Sequence, residues 1–333
     1  MKMTEFWMKN KVKNMKIEFN KKKKCVCGST KLTTLTTIHL GKDKTNIVKC
    51  KKCGIMFLNP QLKDPGVLYE ADYWTESPIV MNKEKTINNM LEKNPRYYNY
   101  LRILKKHKVK NILDVGAGTG DFAKLARSAK INVVCNELKK STCDILEKKK
   151  FKTYLGDIND IKFNSQKFDA VTSIHVLEHV KDPIKDLRKI HSILKNDGLV
   201  IIATPNYASV FGKIAELPII RRYTIDNDPI TIKRRKNNVW HLSPRFENKD
   251  YSKKYIFNRF STASLQHTFY FTPQSLTHLL RESGFKKIKF YTGRIDMING
   301  PKTTIKKIIL NGYVDDLLTP FGLQSELVAV AKK

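Results

Sequence analysis

The chain has 333 residues, and its 63 Lys+Arg against 31 Asp+Glu give a formal charge of +32. At 41% hydrophobic and 10% aromatic residues it can build a substantial core, which excludes wholesale disorder. No apolar run approaches the roughly 20 residues that a membrane-spanning helix needs. The charge surplus fits either a polyanionic partner or membrane surface, or a general lysine bias. Lys outnumbers Arg 51 to 12, so the placement of the few arginines is more telling than the total.

Residues 1–22 form a basic arm without the continuous apolar region of a secretory signal. Met8, Val12, Met15 and Phe19 fall on one helical face. Such a helix would rest on anionic lipid as a peripheral contact, or pack on its own protein. Residues 23–60 hold Cys25-Val-Cys27-Gly28 and Cys50-Lys-Lys-Cys53-Gly54. Thiolates spaced C-x2-C turn toward one metal, and the glycine after them permits the positive φ of a tight knuckle. The first knuckle is one residue short, with Lys24 where a cysteine normally stands. Either Cys25 still completes a four-cysteine zinc site, or three sulfurs bind with His39 as the nearest substitute, or the hairpin needs no metal. A closed four-ligand site is structural. Six cysteines used in this way suit a reducing compartment, and the expected location is the cytoplasm. Cys135 and Cys143 read as small core residues.

A helical lead-in (61–108) ends with Tyr97, Tyr98, Leu101 and Leu104. It enters an alternating pattern: strands at 111–115, 132–136, 151–155, 168–174 and 199–203, with helices to about 129, at 140–150 and at 182–194. A further helix after Thr272-Pro273 ends before Gly284, with strands at 286–291 and 325–331. Strands alternating with helices predict an α/β doubly wound, mostly parallel seven-stranded sheet, spanning 109–206 and 268–333 beside the small cysteine module. Ligands bind such sheets at the carboxyl ends of the strands. There Gly116-Ala117-Gly118-Thr119-Gly120 follows the first strand and opens a helix. Glu137 follows the second strand, placed to accept from ribose hydroxyls. Asp157, followed by Ile158, follows the third, placed to accept from an exocyclic amine. The loop lacks the Lys-Ser/Thr of a phosphate loop and has Asp114 before it. A nucleoside with an amino-acid tail fits better than a triphosphate.

Four segments together resemble the class I S-adenosylmethionine-dependent methyltransferases: Ile112–Gly120, Phe168–Pro183, Leu194–Asn206 and Phe271–Phe285. The stretch Cys50–Pro60 resembles a branch with an N-terminal zinc ribbon. The resemblance implies a Rossmann-like fold and S-adenosylmethionine as cofactor. Gly116, Ala117, Gly118 and Gly120 would lie along its methionine moiety, with Asp114 at the amino group. Glu137 would hold the ribose, and Asp157 with Ile158 the adenine.

Methyl transfer mainly needs alignment and exclusion of water, with a base only where the nucleophile loses a proton. His175 and His179, near the end of the fourth strand, and His267 are the candidate catalytic residues. His175-Val-Leu-Glu178-His179 places His175, Glu178 and His179 on one helical face, which suits a divalent ion or a base or acceptor contact, while the similar Leu-Glu-His of the family it resembles implies a purely structural or donor-contacting role. Between 207 and 267 lies an insertion with Arg221, Arg222, Arg234, Arg235 and Arg245 among aromatic residues. Guanidinium groups clamp phosphate or carboxylate. It reads as a substrate lid for an anionic small-molecule or glycan acceptor, or as a solvated basic loop. The expected function is methyl transfer to oxygen or carbon of such an acceptor, for example a sugar nucleotide or phosphorylated sugar. Methylation of RNA is an alternative nucleic-acid reading, and a non-catalytic donor-binding or ribbon interaction protein is another.

Overall fold

The computed structural model describes residues 18–40, 43–63, 95–209, 230–234, 240–244, 267–293 and 326–333. The first part of the chain supplies β1 (Phe19–Asn20), β2 (Leu32–Leu40), β3 (Asp43–Cys50), β4 (Met56–Asn59) and β5 (Gln61–Leu62). Then come α1 (Pro95–Lys106), β6 (Asn111–Val115), α2 (Asp121–Ser128), β7 (Asn132–Glu137), α3 (Lys140–Lys148), β8 (Lys152–Leu155), β9 (Phe168–Ile174), α4 (Pro183–Ile193) and β10 (Leu194–Pro205). A hairpin of β11 (Ile230–Arg234) and β12 (Trp240–Pro244) follows, and then β13 (Phe269–Tyr270), α5 (Pro273–Glu282), β14 (Lys286–Gly293) and β15 (Glu326–Lys332).

Seven strands form one sheet in the order β14-β15-β10-β9-β6-β7-β8. The five strands from β10 to β8 run parallel, and β15 is antiparallel to both neighbours. The expected Rossmann-like sheet is therefore present. From β6 the chain winds outward through β7 and β8, then returns to place β9 and β10 on the other side. The β6/β9 boundary is thus the topological switch point, where the crevice opens. One face of the sheet is packed by α1, α2 and α3, through Tyr100, Leu104, Phe122 and Leu146. The other carries Leu187, Leu276 and Leu280 of α4 and α5, together with Cys50, Cys53, Ile55 and Phe57 of the cysteine module. That module is part of the main core rather than an appended bead.

Its sheet runs β13-β4-β3-β2. The strand β13 comes from the far end of the chain and pairs with β4 as Phe269↔Phe57 and Tyr270↔Met56. The expected boundary at 268 therefore falls inside a segment shared by ribbon and methyltransferase sheet. The expected lead-in is described from residue 95, and the insertion 207–267, between residues 209 and 267, only as the backbone of β11 and β12. Arg221, Arg222, Arg235, Arg245 and the arm 1–17 lie outside the described residues.

Local chemistry sets the helix starts. Asp182 accepts hydrogen bonds from the amides of Ile184 and Lys185, with Pro183 at the first helical position. Thr272 and Ser275 form a reciprocal capping box ahead of α5, again with proline following, satisfying amides that a helix start leaves orphaned. Thr272→Ala should lower unfolding stability by about 1 kcal/mol, read by urea denaturation, with donor affinity unchanged.

Candidate active site

Where β6 ends at the crevice, Gly116, Gly118 and Gly120 have φ of 66°, 56° and 82°, the left-handed region that side chains avoid. This turns the loop so that the Gly118 amide donates to Glu137 Oε1 at 2.5 Å, and the Leu138 amide meets Oε2 at 3.2 Å. Burial pushes the Glu137 carboxyl up from its usual range, partly offset by those two amides. Asp114 lies beneath the loop, 2% exposed, and accepts from Thr172 Oγ1 at 2.6 Å. Its carboxyl rises to about 7 because burial penalises the charge and Glu137 lies near, against the relief from Thr172. Asp157 Oδ1 accepts from both the amide and the side-chain nitrogen of Asn159. The same Asn159 nitrogen reaches Asp186 Oδ1 on α4 at 2.6 Å, and Ile158 is buried beside it. The structure thus brings Asp114, the glycine loop, Glu137 and Asp157 to the ends of three adjacent strands. A left-handed glycine cradle with two carboxylates beyond it suits a nucleoside with a cationic amino-acid tail.

The turn after β9 faces the other side. The expectation of a helical face through His175, Glu178 and His179 is corrected here. The chain makes a turn, with His175 at φ 54° and the His179 amide bonded to the Val176 carbonyl. His175 is enclosed. Its Nδ1 meets Glu178 Oε1 at 3.2 Å, and its Nε2 lies 2.7 Å from Glu326 Oε1 and 3.0 Å from Arg96 Nη1. Burial opposes charge on this ring, but the hydrogen bonds to Glu178 and Glu326 outweigh it and raise the imidazole to about 9. Both ring nitrogens of His175 thus face groups of the protein itself, Nδ1 toward Glu178 and Nε2 toward Arg96 and the ion-paired Glu326. Tyr100 Oη donates to the second oxygen of Glu326 at 2.9 Å. Glu326 is placed here because β15 runs antiparallel, opposite Pro205, so its first residue reaches the carboxyl edge of β10.

His179 and His267 lie together, with ring centroids 4.7 Å apart and edge to face. His267 Nδ1 is 2.9 Å from Tyr207 Oη, and burial lowers its imidazole to about 4 despite the nearby Glu178 charge. Glu178 is fully buried. Burial resists its ionisation, yet the hydrogen bond from His175 and the charge of the imidazoles hold it down at about 2. Its Oε2 has no hydrogen-bond partner among the described residues. One ligand atom each from Glu178, His179 and His267 lie within 4.8 Å of one another. A divalent ion would therefore use His267, rather than His175, as the third ligand. The sequence reading did not reach Arg96, Tyr100, Thr172, Tyr207 or Glu326.

In the cysteine module, all four sulfurs lie within 4.8 Å of one another. The pairs Cys25–Cys53 and Cys27–Cys50 are each 3.6 Å apart. A tetrahedron with zinc–sulfur bonds of about 2.3 Å has sulfur–sulfur edges of about 3.8 Å, so the cluster fits that ion. The short first knuckle closes because Gly28 takes φ 81° and donates its amide to the Cys25 carbonyl. The backbone register sets His39 well along β2 from the cysteines. Leu32 is the residue opposite Cys50, and His39 lies seven positions further along β2, about 23 Å at 3.3 Å per residue.

A family model described as "Methyltransferase domain" matches residues 89–289. The ubiquinone biosynthesis O-methyltransferase of Actinobacillus pleuropneumoniae is 29% identical over 108 residues, covering 29% of this chain and 46% of that protein. The demethylmenaquinone methyltransferase of Thermotoga maritima is 25% identical over 182 residues, covering 53% and 69%. Among solved structures, the 1,6-didemethyltoxoflavin-N1-methyltransferase of Burkholderia thailandensis aligns over 90% of this chain and 99% of that one, at 13% identity and a TM-score of 0.47. The chain spans about half the length of the first of these curated relatives. With more than half of its residues matched by the family model, the chain belongs to the S-adenosylmethionine-dependent methyltransferase-domain family.

Proposed function

We propose that this protein transfers a methyl group from S-adenosylmethionine to an oxygen or carbon of an anionic small-molecule or glycan acceptor, such as a sugar nucleotide or phosphorylated sugar. The donor supplies an already electrophilic methyl group. Asp114 would face its amino group, the amides of the glycine loop its methionine moiety, Glu137 the ribose and Asp157 with Ile158 the adenine. The observation that carries the reading is the pair formed by His179 and His267 across the switch point from that cradle. His267 is neutral at physiological pH. With Nδ1–H donated to Tyr207, its Nε2 keeps a lone pair for an acceptor hydroxyl or acidic carbon proton. The ionised Glu178 beside it would stabilise the imidazolium that results. His175, already enclosed by Glu178, Glu326 and Arg96, would shape the wall. The small-molecule class is supported by the relatives named for quinone methylation, and the anionic character by the arginine-rich insertion. Cys25, Cys27, Cys50 and Cys53 would hold structural zinc.

Incubation with methyl-labelled S-adenosylmethionine and fractionated cell extract tests this reading. Label should enter the small-molecule or polysaccharide fraction and fall by about 100-fold or more in His267→Ala, the usual range for loss of a general base. Label confined to RNA would replace the reading with nucleic-acid methylation, which the charge of +32 would favour. Donor binding with no label in any fraction would favour a non-catalytic protein.

A further inference from the structure

We infer that the cysteine ribbon is a positioning element for the acceptor wall of the crevice. It acts through β4 on residues 267–271 and leaves the donor cradle to the main sheet. The inference rests on the reading of His179 and His267 as that wall.

The connection is continuous along the backbone. Cys50 ends β3, its amide bonds to the Ile55 carbonyl, and the Gly54 amide bonds to the Cys50 carbonyl. The knuckle containing Cys53 therefore sets where β4 begins, three residues further on. On its free edge β4 takes β13 as a partner, and the Leu58 amide donates to the Thr268 carbonyl at 3.1 Å. The opposite side of the same segment is tied into the crevice. The Phe269 amide donates to the Glu178 carbonyl at 3.0 Å, and the Tyr207 amide to the Phe271 carbonyl at 2.9 Å. His267 begins this strip, and Tyr207, the residue that orients its ring, is held at the other end. A two-residue strand has little stability of its own. Its place depends on the two surfaces between which it lies.

The side chains repeat the arrangement. Phe57 of β4 packs on Phe269 with centroids 6.1 Å apart, and Tyr270 meets Tyr207 edge to face at 4.6 Å. Cys25, Cys50, Cys53, Ile55 and Phe57 share one core cluster with Phe269 and Phe271, a cluster that also reaches Leu113, Val115, Val134 and Ile158. The separation of the two sides lies in the backbone: the loop residues bond within β6, β7 and β8, Gly116 to the Asn136 carbonyl and Gly156 to the Glu137 carbonyl, and none of these bonds involves β4 or β13. Loosening the ribbon should therefore release His267 and Tyr207 from register before it disturbs the glycine loop. This gives the module a role other than gripping nucleic acid.

The test uses the full-length protein, its zinc content measured, before and after chelation and after Zn2+ is added back. Amide hydrogen exchange is followed at Leu58, Phe269 and Tyr207, with Gly118 as the donor-side reference, and S-adenosylmethionine affinity is measured by calorimetry. Stripping the metal should speed exchange at the three amides by about tenfold or more, with donor affinity held within about threefold and protection restored by Zn2+. A second variant, Phe57→Leu with all four cysteines intact, should show the same selective loss. It should also lower label transfer at saturating donor. If the protein contains no zinc, the metal assignment fails, and Phe57→Leu alone decides the coupling. Unchanged exchange at Phe269 and Tyr207 in that variant would overturn the inference. So would donor affinity falling in step with exchange, since the ribbon would then be a general scaffold. If no fraction accepts label, the exchange and affinity results still stand, so failure of the methyltransferase reading is distinguishable from failure of the coupling.

Discussion

Asp114→Asn is expected to make the donor-free protein more stable above pH 7 while weakening its hold on S-adenosylmethionine. The Asp114 carboxyl lies at about 7 in the folded chain against an ordinary 3.8, chiefly because burial penalises its charge. Between those values the folded state binds more protons than the unfolded one, so stability falls as pH rises and the penalty is complete above about pH 7. A shift of this size corresponds to at most about 4 kcal/mol. Asparagine has the same shape and can still accept the Thr172 hydroxyl, but carries no charge to bury. Melting curves should therefore show a gain at pH 8 that vanishes by pH 4. A cationic ligand tail needs the charge that the apo protein disfavours. Donor affinity of the natural protein should rise from pH 6 to 8, whereas that of the variant should be flat and, at pH 8, about 30-fold weaker, as for loss of a hydrogen bond to a charged group. A variant less stable than the natural protein at pH 8 would show that the carboxylate is not strained in this way.

Gly116→Ala and Gly118→Ala should separate folding from binding although they lie two residues apart. At Gly116 a new methyl group would collide with the Val176 side chain, at a backbone φ of +66°. A left-handed residue costs about 1–2 kcal/mol and overpacking about 1–3 more. Gly116→Ala should thus lose about 2–5 kcal/mol of stability, and donor binding with it. At Gly118, φ is +56° but nothing lies within 4 Å of the added methyl, so the fold should lose only the left-handed cost of about 1–2 kcal/mol. That methyl would stand in the open cradle. Donor affinity should then fall well beyond what the stability loss explains, as calorimetry beside urea denaturation would reveal. Equal behaviour of the two variants would mean that the loop does not approach its ligand at Gly118.

The glycine-loop side of the crevice was legible because its signals are local. A strand, a glycine turn and a helix follow one another between 111 and 128, and each carboxylate ends or just follows its own strand. The clustering of the four cysteines was legible for the same reason, and Gly28 supplied the turn that the short spacing lacked. The acceptor side was harder to read, since its residues converge from afar. His175 draws Arg96 from α1 and Glu326 from β15, and spacing reports neither approach. The pattern His175-x-x-Glu178-His179 suits a helix, but the backbone must turn sharply away from the sheet at that point, and His175 takes the left-handed conformation instead. β13 escaped notice because two residues carry no periodicity. Tyr207 and Thr172 are single polar groups in apolar surroundings, whose partners only the fold identifies.

The placement of β15 has a consequence for synthesis. Although it lies last in the chain among the described strands, it sits inside the sheet between β10 and β14, and its first residue, Glu326, closes the network around His175. A nascent chain that has made everything up to β14 still has an unfilled slot, with β10 presenting an unpaired edge to its surroundings. Such pairing across long sequence separation forms slowly and leaves partly built sheets prone to association. The donor cradle, made from a contiguous run near the middle of the chain, can take shape while translation continues. The network around His175 must wait for β15, so a chain at that stage would carry its glycine loop beside a half-built crevice.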